Sequence, residues 1–327
     1  MRRSLSAAFA LLAAAWPLAA SAFGTVNAPP WDAEHEKITR LAFRTIPIGP
    51  NTLDQLAGAA GAFGAVGAPD NPVRGLLFTS AAHCDDGDHL TAPGYPQTAP
   101  AARAQLQACR TWMLTYLHQA VQDAGDLADA AGVIRNPTIA LTTSGCTFTG
   151  TKGRPKCNVL EDLGLVLHAS QDFYSHSNWV DVAAPGGPTA ANPPGLGQTG
   201  RAAWLDLSVA APPFPQGLIT GCFVNVPEDG LGYCITNGVV RVKHKVLNKD
   251  TGPIAVGPGP LSGLTIGPGT SARGAINNNF RHAVEAAVGD TTDKWLYFSG
   301  LVLHTYPGLR GQRILCAVMR DNPATCP

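Results

Sequence analysis

The run His168-Ala-Ser-Gln-Asp172-Phe-Tyr-Ser-His176-Ser-Asn178-Trp179 sets two imidazoles and a carboxylate four positions apart in a stretch with helical apolar spacing. On a helix each step of four turns only about 40° and climbs about 6 Å, so the three side chains leave by one face. His168 and His176 then stand about 12 Å apart, too far to share one ion whose ligand bonds are near 2 Å, while Asp172 can offer an oxygen to each side. The spacing predicts a metal cluster bridged by Asp172 and capped by His168 and His176. Leu163, Leu165, Val166, Leu167, Phe173 and Tyr174 read as core on the same helix. Burying three ionisable groups among them is costly unless they are paired or bind metal.

A second concentration of ligand types is His83-Cys84-Asp85-Asp86-Gly87-Asp88-His89. His83 with Asp85 or Asp86 suits zinc, which takes nitrogen and carboxylate donors, and an unligated Asp85 or Asp86 would suit orienting a water. The D-x-D-x-D-G order of a calcium loop is absent. His118 reads as packed or as supporting the ligands from behind, His282 as supporting them from behind and His304 as structural, with Gln171, Tyr174, Ser175 and Asn178 as groups that orient ligands or substrate. Serine-triad hydrolysis is excluded by the lack of a G-x-S-x-G elbow and of alternating strands and helices.

Elements that position these residues follow from the rest of the chain. Arg2 and Arg3, an apolar run from Leu5 to Ala20, and Ala20-Ser21-Ala22 read as a secretory signal, residues 1–22, cut before Phe23. The expected location is secreted or periplasmic, and no later stretch is long and apolar enough for a membrane span. The eight cysteines of this exported chain fall into neighbouring couples, Cys84–Cys109, Cys146–Cys157, Cys222–Cys234 and Cys316–Cys326, expected as disulfides. Removing Arg2 and Arg3 from 23 basic and 23 acidic residues leaves a small negative excess, and no basic stripe points to nucleic acid. With 36 glycines, 27 prolines and 14% charged residues, long loops are expected around the core.

Helices are predicted at 31–47 with Asp32 as N-cap, at 53–63, at 100–131, at 160–179 and at 271–303, the last broken near Gly289. Residues 183–200 and 252–270 read as Gly/Pro-rich loops. Residues 218–246 read as a small β-hairpin, turning near 228–232 and stapled by Cys222–Cys234. The fold class is mainly α: a single helical domain, 23–327, around a multi-metal cleft.

The string from Leu163-Gly164 through His168, Gln171-Asp172-Phe173-Tyr174-Ser175-His176 to Trp179 resembles the core motif of Het-C proteins, which look related to the zinc-dependent phospholipase C and single-strand nuclease superfamily. The resemblance implies an all-α fold with two to three zinc ions, His168 and Asp172 as the His-x₃-Asp pair and His176 as the next ligand. It also implies His35, in Asp32-Ala-Glu34-His35-Glu36, as a ligand on the first helix. Phospholipases of this kind use a mature N-terminal Trp through its free amine; Trp31 is present, with residues 23 to 30 ahead of it after cleavage. His244-Lys-Val-Leu-Asn248-Lys-Asp250 resembles the later His-x₃-carboxylate pair, with Asn248 in the acid's place and Asp250 as the alternative ligand. The latter string, Asn279-Phe-Arg-His282-Ala-Val and the Cys316…Cys326 tail also resemble bacterial secreted CinY-like proteins.

The resulting expectation is a metal-dependent phosphoesterase acting on a phospholipid or other phosphate ester through metal-activated water, with Asp172, Asp85 and Asp86 as catalytic carboxylates. Two alternatives stand beside it. One is a non-enzymatic, metal-stabilised Het-C-like protein acting through binding or membrane contact; the other is a single-strand nuclease.

Overall fold

A computed structural model describes residues 23–27, 29, 31–59, 62–135, 145–223, 232–256 and 264–326. The expected signal segment 1–22 lies outside them. Among the described residues the α-helices are α1 (Glu34–Phe43), α2 (Pro50–Ala57), α3 (Ser80–His83), α4 (Ala99–Ala124), α5 (Pro155–His176), α6 (His244–Leu247), α7 (Asn279–Thr305) and α8 (Leu309–Met319). Two antiparallel two-stranded ladders complete the regular structure: β1 (Ile235–Thr236) with β2 (Val239–Val240), and β3 (Ile254–Val256) with β4 (Leu264–Ile266). The protein is mainly helical, as its apolar spacing implies.

Helix α5 is the axis. Every residue from Val159 to Asn178 is buried, so this helix has no solvent face and its polar side chains must be satisfied inside. Helices α4 and α7 flank it, and α1, α2 and α3 close the remaining sides. Leu106, Met113 and Leu117 of α4, Leu163, Val166 and Leu167 of α5, and Phe280, Val284 and Phe298 of α7 form one continuous apolar core. Gly164 is where the chain comes closest to α5: a Cβ there would lie 2.3 Å from the backbone carbonyl of Ala65. Its absence lets segment 65–70 press onto the helix beside His168.

All four cysteine couples are bridged as expected. Cys84–Cys109 ties the short α3 to α4, which a single turn of helix needs in order to hold a fixed position.

Several boundaries differ from the expected ones. Helix α1 starts at Glu34 with Ala33 as N-cap; the Asp32 carboxylate pairs with Lys37 and accepts from the Ile254 amide instead. Helix α2 begins earlier, because Pro50 presets its first turn, and ends at Gly58 rather than near Phe63. No break occurs at Gly289, where packing under Arg201 outweighs a propensity cost of about 1 kcal/mol. The hairpin turns at Asn237-Gly238, both at positive φ, as a two-residue loop between twisted strands requires. The expected turn near 228 falls largely outside the described residues. Within the 252–270 segment, β3 and β4 pair where only loop was expected.

Candidate metal centre

Five of the nine histidines converge on the axis of α5 with four aspartates. The α5 face presents His168, Asp172 and His176; α1 supplies His35, and the 3-10 turn Ala68–Asp70 supplies Asp70. Helix α3 supplies His83; Cys84 at positive φ then reverses the chain so that Asp85 also points inward. His244 opens α6 and Asp250 follows it. None of these nine residues is more than 6% exposed.

They form two neighbouring groups. In the first, Asp172 Oδ1 lies 3.0 Å from His35 Nε2, and Asp172 Oδ2 lies 2.9 Å from both His168 Nε2 and His83 Nδ1. Asp70 Oδ1 stands 3.8 Å from His168 Nε2 and 3.9 Å from His83 Nδ1, and neither Asp70 oxygen makes a hydrogen bond. In the second, His176 Nδ1 is 3.0 Å from Asp85 Oδ1, its Nε2 is 3.5 Å from Asp250 Oδ1, and the His244 ring stands edge-on with centroids 4.1 Å apart. Three triads, His35/His168/Asp172, Asp70/His83/His168 and Asp85/His176/His244, each place three donor atoms within 4.8 Å of one another. That spacing suits donors gathered on one cation with bonds near 2 Å. Every cysteine is in a disulfide, so the donors are nitrogen and oxygen only.

Outer contacts orient the imidazoles. His168 Nδ1 lies 2.8 Å from the Val66 carbonyl, which can only accept; that nitrogen carries the proton and Nε2 faces Asp172 with a lone pair. Gln171 donates to the hydroxyls of Thr39 and Thr291, which leaves its Oε1 to accept from His35 Nδ1 at 2.7 Å and turns His35 Nε2 inward. A carbonyl or amide behind these two rings is the arrangement found behind metal-bound histidines.

Charge favours cations here. Burial would raise Asp172, but His168, His35 and His176 hold it well below the usual carboxylate range. Burial would lower His176, yet Asp85 and Asp172 lift it well above its ordinary value. His35 and His83 are likewise raised against burial, chiefly by Asp172, whereas burial wins at His168 and lowers it. The carboxylates create a site of negative potential that attracts a proton or a cation.

Comparison with family models, with curated proteins and with solved structures found no match. The site therefore rests on its own geometry.

The structure brings together His35, His83, Asp85, His168, Asp172, His176, His244 and Asp250 of the expected set. It sets two others apart. Asp86, also at positive φ, accepts from Ser80 and the Phe223 amide, lies 3.7 Å from Arg241, and is pushed up to about 6 by burial. Asn248 turns its amide oxygen onto the Asp250 backbone NH and so orders the loop that carries Asp250. The role of His176 is also redistributed: it faces Asp85 and Asp250, while His35 takes the place opposite His168 on Asp172. Asp70 is the residue the sequence did not disclose; it lies in Ala-Pro-Asp-Asn-Pro, whose only signal is a turn. His89, held by the Gln97 carbonyl, and His118, His282 and His304 lie outside the three triads.

Proposed function

We propose that the protein is an exported zinc-dependent phosphoesterase of the phospholipase C type. The observation that carries this reading is the placement of Asp172, whose two oxygens face imidazoles on opposite sides while a further His/Asp group lies one helical turn along α5. Four disulfides, and the absence among the described residues of a helix long and apolar enough to cross a membrane, fit an exported protein.

The donor set fits zinc: imidazole and carboxylate without thiolate, with adjacent groups that share Asp172 or His168. Zinc ions held there supply Lewis acidity toward a phosphoryl oxygen and lower the pKa of a water. His35, His168 and His83 would hold cations through nitrogens fixed by their ring orientation, and Asp172 would join the neighbouring positions. Asp250 accepts from the Ser175 hydroxyl on Oδ1, stands 3.5 Å from His176 Nε2 and has a second oxygen with no hydrogen bond, which leaves it open toward the site.

Beside the first group the Phe23 ring is buried edge-on to His35 with centroids 5.9 Å apart, and the His35 amide donates to the Gly24 carbonyl.

A second reading, a metal-stabilised binding protein, is favoured by the deep burial of every candidate ligand. One experiment separates them. The protein is purified from an oxidising compartment, its metals are counted, and a phosphocholine lipid, single-stranded DNA and a phosphomonoester are assayed with and without chelator. Bound zinc with chelator-sensitive lipid turnover is expected; a full metal complement without turnover on any substrate overturns the enzyme.

A further inference from the structure

Away from the metal groups, the 183–200 loop does more than connect elements: its Pro188 and Pro194 help to line a cleft of about 290 Å³. Ala99, Ala102 and Arg103 of the first turn of α4, Phe214, and residues 89–92 and 217–219 complete the lining. Most of the lining is hydrocarbon. At its edge the Arg103 guanidinium stacks over the Phe214 ring at 4.8 Å, and no carboxylate pairs with it among the described residues.

We propose that this cleft binds a short-chain amphiphile with an anionic head, the chain lying over Phe214, Leu218 and Ile219 and the head meeting Arg103. The volume is at the lower end of small-molecule sites, ~300 Å³ and upward, which limits the ligand to a short chain or the end of a longer one. An apolar trough with one unpaired cation at its rim discriminates by charge: a neutral chain gains only burial, and a cationic one is repelled. An anion gains a charge-assisted hydrogen bond from a guanidinium already held flat by an aromatic ring. The shared chemistry is that of a fatty carboxylate or an alkyl phosphate. None of the nine residues of the metal groups lines the cleft, so the inference stands apart from the proposed hydrolysis.

Isothermal titration of the purified, metal-loaded protein with octanoate, octyl phosphate, octanol and octyltrimethylammonium tests it. Both anions are expected to bind about tenfold or more tightly than octanol, with no measurable cation binding; whichever anion binds more tightly names the head group. Arg103→Ala, at an exposed position, is expected to erase the preference for anions without changing metal content. Ala102→Leu, which fills the trough, is expected to abolish binding, with circular dichroism confirming the fold. Equal affinity for octanol and the anions, or anion binding unchanged in Arg103→Ala, overturns the proposal.

Discussion

His35 Nε2 lies 3.0 Å from Asp172 Oδ1, while the opposite nitrogen of the ring is bound to Gln171. A neutral His35 that donates to Gln171 would therefore aim a lone pair at a carboxylate oxygen. Only an added proton or a cation makes that contact favourable. Burial would lower the basicity of His35, but the Asp172 carboxylate raises it.

Two carboxylate-to-amide changes should separate the groups. Asp172→Asn keeps shape but removes the charge facing His35, His83 and His168, and should cost about one bound ion or more per chain. Asp250→Asn should weaken only the His176 group. Metal counting by mass spectrometry, with circular dichroism to confirm folding, reads both; a full complement in each variant would show that the assignment is wrong.

Among the described residues the Gln171 side chain hydrogen-bonds to His35, Thr39 and Thr291, so its effect should be indirect. Gln171→Leu frees the His35 ring to rotate, and metal affinity is expected to fall about 10–100-fold. Competition with a chelator of known affinity measures the change, and unaltered affinity would mean that the ring is oriented by something else.

Gly164→Ala places a methyl against the Ala65 carbonyl and should push segment 65–70 off α5. The cost expected from overpacking is about 1–3 kcal/mol. Because Val66 fixes His168 and Asp70 lies on the same segment, metal affinity should fall together with denaturant stability. Loss of stability with normal metal binding would separate the segment from the site.

Lys156 reports on pH. Burial lowers its pKa from 10.5 to about 7, with Asp321 opposing, and its ammonium donates to Thr52 and to the Arg320 carbonyl. Between about pH 7 and 10.5 the unfolded chain holds this proton more tightly than the folded one, so stability from this group rises with pH across that window. Urea titrations at pH 7, 8 and 9 should show the wild type gaining about 1 kcal/mol per pH unit relative to Lys156→Met. Parallel curves would contradict the shift.

Much of the scaffold was legible because local rules govern it. The shared face of His168, Asp172 and His176 on α5 follows from a four-residue repeat on a helix, and the cysteine couples follow from short loops in a chain expected to be exported. Boundaries were less legible: Ala33 rather than Asp32 caps α1, because Asp32 is drawn to Lys37 and the Ile254 amide, contacts formed only once the chain has packed. Asp85 and Asp86 are equivalent in sequence. The positive φ at Cys84 and at Asp86 sends one carboxylate inward and the other toward Arg241.

By itself the sequence determined that His168, Asp172 and His176 share a direction, since helix geometry acts over four residues and needs no partner. Only the tertiary structure decided which groups meet them. Asp70 and His83 come from segments far from α5 in the chain and reach it because Gly164 admits one backbone and the Cys84–Cys109 bridge fixes the other. Convergence of that kind depends on close packing of whole segments, which no local spacing encodes.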